Sequence, residues 1–231
     1  MFKIHSIFDS IQFEGAQPAT PARFVRFAGC NLQCPFCDTD HTATREYSLD
    51  ALIDEIMIWY PGLVKRTPTP EDGVAPAPRT LVFTGGEPFA QKEFPDLLWR
   101  LVEALPLDIR IETNGHFADA YGESPGTTWL TISPKFLGEE QFLALLETVR
   151  IDAFKLMFGQ HEHYLGILER FYSEHADDEG EEYVQPPVTI APLASKEDPY
   201  GFQQLNSIRD LCIQHPGLGI SMQWHKVLQL P

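Results

Sequence analysis

Seven short apolar runs recur along the chain: 22–29 (ARFVRFAG), 79–86 (RTLVFTGG), 108–115 (DIRIETNG), 128–135 (TWLTISPK), 152–159 (DAFKLMFG), 187–194 (PVTIAPLA) and 218–225 (LGISMQWH). Segments with helical apolar spacing fill gaps between them, at 48–60, 93–105, 138–149, 161–172 and 202–213. In the first, SLDALIDEIMIWY, Ser48 is a candidate N-cap and apolar residues fall at 49, 52, 53, 56 and 57. Strands alternating with helices predict a mostly parallel sheet covered by helices, either open or curled into a barrel. Ligands in such folds meet the C-terminal ends of the strands. A cysteine-rich stretch follows the first run, and TGGEP, ETNG and SPK end three others. Four strand ends are therefore expected to face one mouth.

The 231 residues, 43% of them hydrophobic, suffice for one sizeable core, so a single domain over 1–231 is expected. The proline-rich, aperiodic stretch 61–79 reads as a loop inside that domain, and the acidic 173–183 as a solvated loop or frayed helix end. With 33 acidic against 17 basic residues the net charge is −16, which excludes a general affinity for nucleic acid. Apolar runs stay well short of the roughly 18 residues of a membrane span. The start, MFKIHSIFDSIQFEG, is broken by Lys3, His5, Asp9 and Gln12 and lacks the apolar stretch of a signal peptide. The expected compartment is the cytoplasm, where thiols stay reduced.

Three of the four cysteines lie within eight residues, as Cys30, Cys34 and Cys37 in C-x3-C-x2-C spacing. Cys212, alone in a helical stretch, reads as a small core residue. A reducing compartment and an odd number of clustered thiols argue against disulfides. Adding His41 gives C-x3-C-x2-C-x3-H, a possible Cys3His zinc site and hence a zinc-stabilised binding module. Structural zinc, however, favours two separated knuckles, and a βα domain of this size needs no metal to fold. The other reading is an iron–sulfur cluster: three thiolates hold three irons of a cubane and leave the fourth open to a ligand. Gly29 and Pro35 suit such a loop, the one by permitting close backbone approach and the other by preventing a helix.

C-x3-C-x2-C with Phe36 before the last cysteine, followed by GGEP, resembles the radical S-adenosylmethionine (SAM) superfamily. The segments SIQFEG (10–15), FVRFAGCNLQCPFCDT (24–39), FTGGEP (83–88), ETNG (112–115), SPK (133–135), VQP (184–186) and QWHK (223–226) narrow the match. Together, and over the whole chain, they resemble the 7-carboxy-7-deazaguanine synthase (QueE) family. The resemblance implies a single-domain partial (β/α) barrel of mostly parallel strands. It also implies a carbon–nitrogen lyase that contracts 6-carboxy-5,6,7,8-tetrahydropterin to 7-carboxy-7-deazaguanine with loss of ammonia, for queuosine-type nucleosides. A radical SAM activase that makes a glycyl radical on a protein shares the cluster motif, but has no need of QFEG, CDT or the terminal proline.

By the same resemblance Cys30, Cys34 and Cys37 hold a [4Fe–4S] cluster whose open iron binds SAM, and electron transfer to the sulfonium yields a 5′-deoxyadenosyl radical. Phe36, Gly85, Gly86, Glu87, Glu112, Ser133, Pro134, Lys135 and Gln185 are then the SAM-binding candidates. Phe36 is expected beside the adenine, the two glycines beside the methionine moiety and Glu112 at the ribose, while Glu87 either orders the TGGEP turn or accepts from the SAM amino group. Thr39, in CDT, is the implied Mg2+ ligand, in keeping with that ion's preference for oxygen donors and retained waters. The pterin candidates are Ile11, Gln12, Phe13, Glu14, Arg26, Thr84, His225 and the terminal carboxylate of Pro231. Gln12 and Glu14 can accept from the pyrimidine edge, and Arg26 can grip the carboxylate. Phe13 stands where the family usually has glycine. The implied partners are a flavodoxin or ferredoxin as electron donor and a second copy of the chain in a homodimer.

Overall fold

The computed structural model describes residues 1–14, 19–37, 39–58, 79–122, 124–175 and 185–230. Its strands are β1 (Phe2–Gln12), β2 (Thr20–Phe27), β3 (Arg45–Tyr47), β4 (Arg79–Gly85), β5 (Leu107–Thr113), β6 (Trp129–Ile132), β7 (Ala153–Met157), β8 (Val188–Ala191) and β9 (Leu218–Ile220). Its α-helices are α1 (Leu49–Met57), α2 (Phe94–Ala104), α3 (Ala118–Gly122), α4 (Glu139–Thr148), α5 (His161–Glu174), α6 (Leu205–Gln214) and α7 (Trp224–Val227). All seven expected strands and all five expected helices are present, with ends shifted by a few residues. The helix expected over 202–213 begins as a 3-10 turn at Phe202–Gln204. β1, β3, α3 and α7 are additional. The proline-rich 61–79 lies outside the described residues except for Arg79, and most of the acidic 173–183 does too.

One nine-stranded sheet runs in the order β3-β1-β2-β4-β5-β6-β7-β8-β9. Pairing is parallel from β2 through β9, while β1 is antiparallel to both β2 and β3. β3 and β9 end the order and do not pair with each other, so the sheet is an open, partial barrel. β1 follows from period-2 alternation at its start: Phe2 and Ile4 are buried and Lys3 is exposed.

The same alternation sorts the central strands into a helix-facing side and a cleft-facing side. Val25, Phe27, Leu81, Phe83, Phe154 and Leu156 are fully buried in the core. Their neighbours Arg26, Thr84, Lys155 and Met157 line the cleft. Phe27, Phe83, Phe89 and Phe94 form an aromatic knot, with edge-on contacts to Phe94 at centroid distances of 5.0–5.3 Å. Burying each ring contributes roughly 1.5–3 kcal/mol. Phe27 ends β2 two residues before Gly29, so this knot also fixes where the cysteine loop begins.

Candidate active site

The loop after β2 carries the three thiols. Gly29 takes φ +77°, a conformation that favours glycine, and its N–H donates to His41 O at 3.1 Å, closing the loop. At its start, Gln91 Nε2 donates to Ala28 O at 3.0 Å. Leu32 N–H points at Cys30 Sγ (3.4 Å) and Cys37 N–H donates to Cys34 O (3.0 Å). Cys37 Sγ lies 3.1 Å from His41 Nε2. Burial pushes the Cys30 and Cys34 thiols up; Lys135 opposes it at both. All three cysteines, with Phe36, Thr39 and His41, line a cleft of about 520 Å³.

TGGEP packs against the base of that loop. Gly86 N–H donates to Phe27 O (2.9 Å) and Glu87 N–H to Gly29 O (3.0 Å). A Cβ on Gly86 would sit 1.6 Å from Gly29 O, and Gly85, at φ +113°, would place one 2.4 Å from Phe27 O. Both glycines are thus required by backbone packed against backbone. Glu87 is fully buried, behind the cleft wall. Its carboxylate accepts from Thr113 Oγ1 (2.6 Å), Phe89 N (3.1 Å) and Asn114 N (2.8 Å). Burial pushes its pKa up while these three hydrogen bonds oppose the rise. The clamp sets the end of β5, from which Asn114 Nδ2 reaches Asn31 Oδ1 at 2.8 Å in the cysteine loop.

The opposite side of the cleft is charged. Lys155, on β7, donates to Glu14 Oε2 at 2.9 Å and Glu112 Oε2 at 2.8 Å, and all three side chains are less than one-fifth exposed. Burial alone would lower the lysine pKa, but Glu112 and Glu14 outweigh it and hold the ammonium charged. Gln12 Nε2 lies 3.4 Å from Glu112 Oε1, and His225 Nδ1 lies 3.7 Å from Glu14 Oε1. The Arg26 guanidinium sits 5.1 Å above the Phe8 ring, which stacks on Phe24. Between thiols and floor, Lys135 Nζ donates to Ser133 O and Oγ, both at 3.0 Å, and Ser133 Oγ donates to Lys155 O at 2.9 Å. Burial and the neighbouring Lys155 charge pull the Lys135 pKa down.

Compared with known proteins, the chain matches no family model. It is 32% identical over 230 residues to the 7-carboxy-7-deazaguanine synthase of Bacteroides thetaiotaomicron, an alignment covering all of this chain and 99% of that one. The synthase of the same name from Bordetella pertussis is 30% identical over 247 aligned residues, again covering all of this chain and 99% of the relative. The chain belongs to the 7-carboxy-7-deazaguanine synthase family. The crystal structure of QueE from Escherichia coli shares the fold, with a TM-score of 0.60, 23% identity and coverage of 96% of this chain and 93% of that one.

Most of the residues singled out by likeness to the family meet around one cleft. Glu14, Arg26, Cys30, Cys34, Phe36, Cys37, Thr39, Thr84, Gly85, Gly86, Glu112, Ser133, Lys135 and His225 line it. Ile11 and Gln12 line a smaller chamber of about 60 Å³ that shares Glu14, Arg26, Thr84, Glu112, Lys155 and His225 with it. Three placements differ from expectation. Gln185 is exposed and precedes β8, at the end of the strand away from the mouth; Ala191 and Pro192 occupy the mouth end instead. Phe13 and Pro134 are absent from the lining of both cavities. Glu87, by contrast, takes the turn-ordering role expected as one of its two alternatives: its carboxylate holds protein groups and does not line the cleft. Pro231 lies outside the described residues, although Leu230 lines the cleft. Among the described residues no three His, Cys, Asp or Glu side chains converge as a metal-ion site requires. Lys155 and Asn114 line the cleft without having been singled out; the trace of Lys155 in the sequence is one cation within the apolar run FKLM.

Proposed function

We propose that this chain is a 7-carboxy-7-deazaguanine synthase, a carbon–nitrogen lyase acting on 6-carboxy-5,6,7,8-tetrahydropterin. One observation carries the reading: three thiols of a single loop and a floor of hydrogen-bond acceptors share one cleft, in a member of this family. The donor set suits a [4Fe–4S] cluster. Three cysteines are on the loop, and the fourth, Cys212, is on α6 and does not line the cleft, which would leave one iron free for SAM. When bound, cluster and SAM supply the radical that abstracts hydrogen from the substrate. The protein's own residues bind, orient and exclude water. Gly85 and Gly86 let backbone approach SAM, Phe36 offers a face to the adenine, and Glu112 accepts from the ribose hydroxyls. Ser133 and Lys135 line the wall between the two ligands. Glu14 and Gln12 accept from the pyrimidine edge of the pterin, while Arg26 and Thr84 meet its carboxylate. Thr39 would be the protein's ligand to Mg2+, an oxygen donor of the kind that ion prefers, and the ion would supply charge to hold the substrate carboxylate.

The accompanying assignments are a flavodoxin or ferredoxin as reductant, a homodimeric state and a cytoplasmic location. Among the described residues no helix is long and apolar enough to cross a membrane. The test is anaerobic reconstitution with iron and sulfide, then incubation with SAM, dithionite, Mg2+ and the carboxylated tetrahydropterin. Broad visible absorbance, 5′-deoxyadenosine and a deazapurine product are expected. A colourless protein that retains zinc in place of iron sinks the proposal. A reconstituted protein that cleaves SAM but leaves the pterin intact returns the question to the glycyl-radical activases.

A further inference from the structure

Glu14 ends the first strand's extension, Glu112 lies on β5, and a single ammonium on β7 joins them. Lys155 Nζ is 2.9 Å from one carboxylate and 2.8 Å from the other, with each group largely out of solvent. Two buried carboxylates on one cation are a costly arrangement unless each keeps its partner. Each also retains an oxygen beyond the lysine bond: Glu112 Oε1 is approached by Gln12 and Glu14 Oε1 by His225. Lys155 itself is held from outside the triad, since its strand neighbours Phe154 and Leu156 are fully buried and its carbonyl accepts from Ser133 Oγ. The ammonium is therefore fixed by the core, and the carboxylates are fixed by the ammonium.

Resting on the reading above, in which Glu14 meets the pterin and Glu112 meets SAM, we infer that Lys155 is the positioning residue that holds both acceptors in place at once. The two ligand sites then depend on one cation. Without Lys155 both carboxylates lose their shared partner, and both ligands bind less well. Without Glu112 the lysine closes fully on Glu14 and competes with the donors of the pterin, so an effect crosses from one site to the other. Removing Glu14 acts in the same way on SAM.

The experiment measures SAM and pterin binding separately, by calorimetry on the anaerobically reconstituted enzyme, in Lys155→Met, Lys155→Arg, Glu14→Gln and Glu112→Gln. Turnover of the unaltered enzyme is measured alongside. Lys155→Met is expected to weaken each ligand roughly tenfold or more, with Lys155→Arg restoring most of both affinities. Glu112→Gln should weaken the pterin, and Glu14→Gln should weaken SAM, each by roughly threefold or more. Loss of only one ligand in Lys155→Met makes the lysine a local contact and overturns the inference. Should Lys155→Met fail to fold, the two glutamine variants decide: cross-effects support the inference and their absence overturns it. An active parent enzyme whose variants bind as it does overturns this inference alone, whereas a parent that turns over no pterin overturns the functional reading and this inference with it.

Discussion

At the rim of the cleft Cys37 is exposed, with its sulfur 3.1 Å from His41 Nε2 and 3.9 Å from Thr39 O. At the floor, Lys155 is enclosed by two carboxylates at hydrogen-bond distance and backed by fully buried core residues. Rim and floor thus face the same space with different degrees of protein-made order. The cysteine loop is fixed at its ends, through Gly29, Gln91 and the Gly86 contact, while its cysteines line the cleft. The floor carries its charge pairing within the protein: Lys155 meets both Glu14 and Glu112. Groups reserved for a cofactor can be lost with little effect on folding, whereas groups that pre-shape a pocket are part of the folded core.

The largest expected effect comes from breaking the rim. Cys34→Ala or Cys37→Ala should abolish iron retention and the visible absorbance after reconstitution, and turnover with it. Denaturant unfolding of the metal-free protein should shift by only about 0.5 kcal/mol. A large stability loss would show that the thiols are core residues after all. Gly86→Ala comes next, because its new methyl meets Gly29 O, a backbone atom at the foot of the loop. It should destabilise the metal-free protein by about 1–3 kcal/mol and lower iron content too, linking rim to sheet. Unchanged iron content would mean that the loop is positioned from elsewhere.

Glu87 separates support from ligand binding. Glu87→Ala strands three donors and should cost about 3 kcal/mol in stability. The pH dependence has a definite sign. The folded-state pKa of Glu87 is raised by burial. Its protonated form therefore favours the fold, and that contribution is complete below the ordinary glutamate range and lost as pH rises through the elevated folded value. Relative to Glu87→Gln, the unaltered protein should be most stable at the acid end and decline towards neutrality. A difference that is flat with pH would show that the three hydrogen bonds cancel the burial effect. The smallest effect is expected at Gln185→Ala, with kcat/KM within about twofold and stability within about 0.5 kcal/mol. A large loss of SAM affinity there would show that Gln185 reaches the ligand in spite of its position ahead of β8.

The strands of the parallel core were legible because one face is fully buried under the helices and the cleft face is largely enclosed too, which leaves apolar runs such as LVFTGG and FKLM in the sequence. β1 was harder to read: its clear alternation is confined to Phe2, Lys3 and Ile4, after which intermediate burial blurs the period. Direction explains Gln185. The run 187–194 places that glutamine ahead of its strand, and chemistry gathers at the other end, yet the short VQP likeness carries no sense of direction. For Glu87 the sequence leaves two roles open, ordering the turn or touching SAM, because a motif gives the residue type but not the side of the backbone on which it lies. Lys155 left only a single charge amid apolar neighbours, and the partners that make it matter lie far away along the chain.

That distance bears on synthesis. Glu14 and Lys155 are 141 residues apart in sequence. On a ribosome, the cysteine loop emerges long before the lysine that completes the floor, and closing such remote contacts is among the slower events of folding. The nascent thiols therefore spend that interval without a finished cavity around them, open to stray metal and oxidant.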